Sequence, residues 1–152
     1  MLKNSLKENA FQFCNDYIED RLNRIQNQIT EIQSSLTSET KSSAGDKHET
    51  GRAMLQLERE KLGQQLSEAE KVAQLLAKVS ITGGSNFVGL GSLVKTTRFH
   101  YYITISAGEY VNQNCKIYCV SAATPIAKVL LGKKQGETIE FNGKESTILE
   151  IH

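Results

Sequence analysis

The sequence has no tryptophan, a single proline and three cysteines in 152 residues. Cys14, Cys115 and Cys119 are odd in number, which is typical of reduced thiols in a cytosolic protein rather than of a disulfide framework. No run approaches the roughly 18 apolar residues of a membrane span, and the first residues lack the apolar core of a signal peptide. We therefore expect a cytoplasmic protein that makes no membrane contact.

Neither sign of charge dominates. Eighteen basic residues against seventeen acidic ones leave a formal net charge of +1, so bulk electrostatics favours neither a nucleic-acid coat nor a membrane surface. A zinc site built from Cys115, Cys119 and His100 would lack the second closely spaced Cys or His pair that zinc motifs carry. We assign these three residues no role.

The chain changes character near residue 80. The preceding part is rich in Glu, Gln, Lys, Leu and Ala and contains no proline. Four glycines are then clustered, namely Gly83, Gly84, Gly89 and Gly91. Runs of strand-forming residues such as YYITI and KIYCV follow. The sequence therefore predicts a helical part over residues 1–80 and a separate domain over residues 81–152.

The helical part carries two apolar stripes with coiled-coil spacing. The first stripe consists of Ile18, Leu22, Ile25, Ile29, Ile32 and Leu36, and the second consists of Leu55, Leu62, Leu66, Ala69, Ala73 and Leu76. Position numbers add to the same total for Leu36 with Leu55 and for Ile18 with Ala73, which favours one chain folding back on itself. An arm of about 35 residues is about 50 Å long, with its turn inside residues 42–51.

Residues 81–152 predict a small α+β domain. Strands are expected over 92–96, 100–106, 116–121, 138–141 and 146–151, with a short helix over 125–131. Thr124 is suited to cap this helix, Pro125 to begin it and Gly132 to end it. Asn142-Gly143 is typical of a two-residue hairpin turn. The predicted fold class is α+β, with an antiparallel coiled-coil hairpin in front.

The short helix and its surroundings carry a more specific pattern. This run resembles the C-terminal signature of the bacterial Gre transcript-cleavage factors, and it consists of Ser121, Thr124, Pro125, Ile126, Ala127, Leu130, Leu131, Gly132, Lys133, Gly136 and Glu137. Gly91-Ser92-Leu93-Val94 is similar to the family's opening strand. The resemblance implies an FKBP-like fold for residues 81–152 and a hairpin that enters the secondary channel of RNA polymerase.

Gly45-Asp46-Lys47-His48-Glu49-Thr50 is similar to the tip motif Gly-Asp-x-x-Glu-Asn of the same family. The resemblance implies that Asp46 and Glu49 help to hold a Mg²⁺ ion shared with the polymerase. The polymerase then cuts its own backtracked RNA, so the chain is not itself an enzyme and binds no Mg²⁺ alone. The implied partners are RNA polymerase and, indirectly, nascent RNA, and we expect a monomer.

The tip departs from the family pattern between its two acids. Lys47 and His48 replace a small or apolar pair, and we treat both as candidate contacts to the polymerase complex, with Lys47 able to meet an RNA phosphate. Lys133 and Lys134 are candidate contacts to the polymerase rim. They are equally compatible with solvated surface charge.

Other interpretations remain open. Asp46 and Glu49 also match a capping box at the start of a helix. Such a cap would stabilise the helix by about 1 kcal/mol. One alternative function is a secondary-channel regulator that does not promote cleavage. Another is a coiled-coil adaptor or chaperone whose FKBP-like domain binds other proteins. A prolyl isomerase is disfavoured, because no tryptophan is present to floor a proline pocket.

Overall fold

The computed structural model describes residues 2–41 and 46–152, and the side chains of residues 6–38 and 49–152. In these described ranges, three helices and six strands follow one another. They are α1 (Leu2–Lys41), α2 (Asp46–Ala77), β1 (Leu93–Thr96), β2 (His100–Thr104), β3 (Gly108–Asn112), β4 (Cys115–Ser121), α3 (Pro125–Leu130), β5 (Thr138–Phe141) and β6 (Lys144–Ile151). A helical hairpin followed by a small mixed sheet confirms the predicted α+β fold class.

The chain divides into two compact units. One unit is Ile18–Ala73, and the other combines Met1–Tyr17 with Gln74–His152. The beginning of α1 therefore belongs with the sheet. The predicted division between residues 80 and 81 stays a prediction. Within the described ranges, no helix is both long and apolar enough to cross a membrane.

The hairpin unit buries the two predicted stripes. Ile18, Ile25, Ile29 and Ile32 are buried on α1, as are Leu62 and Ala69 on α2, whereas Met54 and Leu57 are exposed. The remaining predicted stripe residues of this unit are half-buried, namely Leu22, Leu36, Leu55, Leu66 and Ala73. Both arms stay helical because their residues favour the helix, no proline interrupts them, and their apolar side chains share one face.

The second stripe is interrupted where Arg59 takes the place of an apolar residue. Arg59 is half-buried. A Cβ atom added at Gly63, one turn further along α2, would lie 3.1 Å from Nη1 of Arg59. The glycine therefore leaves room for the guanidinium group to lie along the helix surface.

The sheet has the strand order β3-β4-β2-β1-β6-β5. The β2–β4 pair is parallel, and the other four pairs are antiparallel. The five predicted strands are confirmed with small differences at their ends. The strand β3 was not predicted, because it offers only Tyr110 and Val111 as apolar residues and Val111 is 60% exposed at the edge of the sheet.

Both faces of the sheet are covered by helix. One face packs Val94, Ile103, Ile139 and Ile148 against Ile126, Ala127 and Leu130 of α3. On the other face, Thr104 contacts Cys14 of α1, and the rings of Phe13 and Tyr110 lie 5.1 Å apart. The first turns of α1 thus help to close the core of this unit.

The predicted start of α3 and the predicted turn at Asn142-Gly143 are confirmed. The hydroxyl of Thr124 accepts a hydrogen bond from the amide of Ala127, and Pro125 begins the helix. Asn142 and Gly143 have φ angles of 54° and 75°, as a type I′ turn requires. Phe141 and Lys144 are paired across this turn.

Candidate functional site

The predicted tip acids lie at the beginning of α2. Asp46 is the first residue of the helix, and Lys47 and His48 follow it. The side chains of these three residues, and Gly45 altogether, lie outside the described residues. Glu49 is described, and its side chain is exposed. Asp46 and Glu49 are thus three positions apart on the same helix.

The predicted magnesium site at Asp46 and Glu49 would supply two carboxylates. Mg²⁺ takes one or two carboxylates together with waters and phosphate oxygens. In the part of the chain with described side chains, no group of three His, Cys, Asp or Glu residues is placed to hold a metal. The shared Mg²⁺ therefore stays a prediction. The capping box at Asp46 and Glu49 stays a prediction.

Lys133 and Lys134 follow α3 within the sheet unit. The ammonium group of Lys134 lies 4.9 Å from the centre of the Phe87 ring, a cation–π distance. The Lys134 amide donates to a Glu137 carboxylate oxygen at 2.5 Å. The backbone of Lys133 accepts from Val88 at 2.9 Å. Both residues are thereby positioned, and their role toward a polymerase stays a prediction.

An aromatic cleft on the sheet unit was missed by the sequence analysis. Four rings line an open cavity of ≈ 210 Å³, together with Val120 and Ile126. The rings belong to Phe99, Tyr101, Tyr118 and Phe141. The rings of Phe99 and Tyr118 meet edge to face at 5.5 Å, and those of Tyr101 and Tyr118 lie 6.0 Å apart. Such a surface suits an apolar side chain of a partner.

The cleft residues lie side by side because of the pairing register of the strands, and this register could not be predicted from the sequence. Tyr101 and Tyr118 are direct neighbours in the parallel β2–β4 pair. Phe141 joins them from β5, a distant strand in the chain. The only local signal was the recurrence of aromatic residues in YYITI and KIYCV.

The rim of this cleft is basic. Arg98 and Lys144 line an adjoining cavity of ≈ 200 Å³ that shares Phe99, Tyr101 and Phe141 with the cleft. Glu140 and Glu145 are paired with each other across β5 and β6, at positions that alternate with those of the cleft residues. The acids of this ribbon therefore point away from the cleft. A partner segment that carries acidic side chains would complement the positive charge of this rim.

Of the residues of the hypothetical zinc site, Cys119 belongs to the core. The Cys119 thiol is hydrogen-bonded to Cys14, and this bond together with burial raises the pKa of Cys119. Cys115 is half-buried at the start of β4. A protonated thiol in the core is a poor metal ligand.

The fold and these sites define an α+β protein in which a helical hairpin precedes a mixed sheet with an aromatic cleft. No family model and no curated protein matches the chain. The similar solved structures include one described as "Structure of the transcription factor Gfh1", which is 20% identical over 91% of this chain and 92% of that chain, with a TM-score of 0.36.

Proposed function

We propose that the chain is a Gre-type transcription elongation factor. In this proposal it binds RNA polymerase through the secondary channel and stimulates cleavage of backtracked RNA by the polymerase active site. The observation that carries the proposal is the exposed carboxylate of Glu49, three residues after Asp46 at the end of a two-helix hairpin. The signature residues around α3 support it through their resemblance to the Gre family. The chain would act as a monomer in the cytoplasm.

The hairpin suits a narrow channel. Only two helices make up the described part of the unit Ile18–Ala73, and they bury a single apolar seam between polar outer faces. A long and thin element of this kind buries little surface for its length, which is poorly explained by stability alone. It is well suited to carry a side chain into a confined site.

The tip acids would complete a site that the polymerase begins. A second Mg²⁺ stabilises the attacking and leaving oxygens of a phosphodiester during hydrolysis. Asp46 and Glu49 would supply carboxylate ligands to this ion, and the polymerase would supply the others. The chain alone would have no turnover, because its own acids do not complete the ligand set.

The sheet unit would provide a second contact with the polymerase. Its aromatic cleft accommodates an apolar side chain, and Arg98 and Lys144 at the rim attract a neighbouring acid. We also propose that Lys133 and Lys134 contact the polymerase, since Phe87 and Glu137 hold Lys134 in place. Lys47 and His48 would lie beside the RNA at the tip.

The test uses purified polymerase stalled in a backtracked complex with labelled RNA. Added protein is expected to shorten the RNA in the presence of Mg²⁺. Asp46→Asn and Glu49→Gln are expected to bind normally and to lose cleavage, whereas Glu58→Gln, an exposed acid further along α2, is expected to retain it. Unchanged cleavage by both tip variants would remove the acids from the mechanism.

A secondary-channel regulator without cleavage is the second candidate, and the position of Lys47 between the two acids favours it. A lysine beside Asp46 competes with a metal ion for the carboxylate. This candidate predicts that the protein displaces a known channel binder without shortening the RNA. A protein that does not bind polymerase at all would instead support the adaptor function.

The cleft has its own test within the same assay. Phe99 is 46% exposed at the cleft, and Leu149 is 48% exposed on β6, outside the set of residues that line it. Phe99→Ala is expected to weaken polymerase binding at least tenfold, and Leu149→Ala is expected to leave binding unchanged. Equal effects would show that the cleft is not the docking surface.

A further inference from the structure

Lys7 is a buried cation without a counter-ion among the described residues. It lies on α1 in the sheet unit and is only 4% exposed. No described side chain makes an ion pair or a hydrogen bond with it, and the preceding residues MLKNS include no acid. Burial lowers the pKa of Lys7. An ammonium group that has little contact with water is stabilised by a nearby anion.

Lys7 borders an open cavity of ≈ 260 Å³ in the same unit. A glycine-containing loop forms another wall, with Thr82, Gly83, Gly84 and Ser85 among the lining residues. Among the described residues, no acidic side chain lines the cavity, and His152 is one of the lining residues. The nearby acid Glu150 is already engaged, because it contacts both His152 at 2.9 Å and Lys95 at 3.7 Å. The Lys7 ammonium group therefore gives the cavity a positive charge that no described acidic side chain in the cavity balances.

The loop is fixed in shape by its own hydrogen bonds. The Ser80 hydroxyl donates to the Thr82 carbonyl at 2.7 Å, and the Thr82 amide donates back to the Ser80 hydroxyl at 3.3 Å. Gly83 has a φ angle of +82°, which a side chain would strain. A Cβ atom at Gly91 would lie 3.1 Å from Cγ1 of Val79, so the start of the loop packs closely on the chain before β1.

The exposed amides of the next three residues are available as hydrogen-bond donors. Within the described residues, no acceptor is hydrogen-bonded to the amides of Gly83, Gly84 or Ser85. Successive free amides in a glycine-containing turn form a concavity that attracts anions. A lysine beside such amides adds a full positive charge, as in common phosphate sites.

We propose that this cavity binds the phosphate group of a small phosphate-bearing ligand. Lys7 supplies the counter-charge, and the amides of Gly83, Gly84 and Ser85 donate to the phosphate oxygens. The site lies in the sheet unit and uses none of the tip acids. Its ligand is therefore independent of the Mg²⁺ of the proposed function.

The test is a titration of the full chain with inorganic phosphate at constant ionic strength, followed by amide chemical shifts. Saturable shifts at Gly83, Gly84 and Ser85 are expected. Lys7→Met is expected to weaken phosphate binding at least tenfold, and Lys128→Met, an exposed lysine on α3, is expected to have no effect. Shifts that do not saturate, that chloride reproduces, or that persist in Lys7→Met would overturn the proposal.

A second variant and a second probe complete the experiment. Ser80→Ala removes the bonds that fix the loop and is expected to weaken phosphate binding severalfold while Lys7 stays in place. If Lys7→Met does not fold, unchanged binding by Ser80→Ala overturns the proposal. A nucleoside diphosphate that competes more strongly than inorganic phosphate would show that the phosphate belongs to a larger ligand, and equal competition would identify free phosphate as sufficient.

Discussion

The thiol of Cys14 on α1 lies 3.5 Å from the hydroxyl of Thr104 on β2, although the two residues are 90 positions apart. Both residues are fully buried. The contact joins the first helix of the chain to the middle of the sheet. It also explains why Cys14 is a core residue rather than a surface thiol.

Tyr102, beside this contact on β2, gives the first prediction. Its hydroxyl is buried and has no hydrogen-bond partner among the described residues. An unsatisfied buried hydroxyl is destabilising, so Tyr102→Phe is expected to raise the free energy of unfolding by about 1 kcal/mol. Denaturant unfolding measures the change, with the exposed Tyr17→Phe as a control that should differ little from the original chain. A loss of stability in Tyr102→Phe would show that the hydroxyl has a partner.

His100 gives a pH prediction. Burial, and then the nearby positive charge of Lys95, lower the pKa of His100 below its usual value of 6.5. The unfolded chain therefore takes up this proton at a higher pH than the folded chain does. As the pH falls from the unfolded value of about 6.5 toward the lower folded value, stability is lost.

The measurement for His100 compares the free energy of unfolding across this pH window with that of His100→Gln. The original chain is expected to lose more stability on acidification than the variant, and the His100 ring should titrate below pH 6.5 in an NMR titration. A variant with the same pH dependence as the original would show that His100 is not the group responsible.

Ile29 tests the hairpin seam. It is 2% exposed in the middle of the α1 stripe. Ile29→Ala is expected to lower the free energy of unfolding of the hairpin by about 3 kcal/mol, because it removes buried methylene groups. Helical circular dichroism in denaturant follows the transition, and the exposed neighbour Gln28→Ala serves as the control. Similar effects of the two substitutions would contradict a packed seam at Ile29.

Much of the fold was readable from sequence because its signals are local. The stripes from Ile18 to Leu36 and from Leu55 to Leu76 have a period that only paired helices explain. Thr124, Pro125 and the Asn142-Gly143 pair each specify one backbone geometry. The strand β3 has no such signal, since its pairing with β4 rather than its own residues makes it a strand.

The candidate sites were less readable because they depend on distant residues. The rings of Tyr101, Tyr118 and Phe141 meet only when the parallel β2–β4 pair and the β5–β6 hairpin are in register. Lys7 looked like an ordinary helix lysine, and its burial results from packing in the sheet unit. Asp46 and Glu49 were found through a resemblance, and their role in cleavage stays a prediction.

The most direct test of the proposed function is a photo-crosslinking measurement on backtracked polymerase. A photoreactive residue replaces Ala53, an exposed position near the beginning of α2, or Lys71, an exposed position about 27 Å further along the helix. If the proposed function is right, the Ala53 probe labels the extruded RNA 3′ end or the polymerase active centre, and the Lys71 probe does not. No label from Ala53, or the same label from both positions, would contradict it.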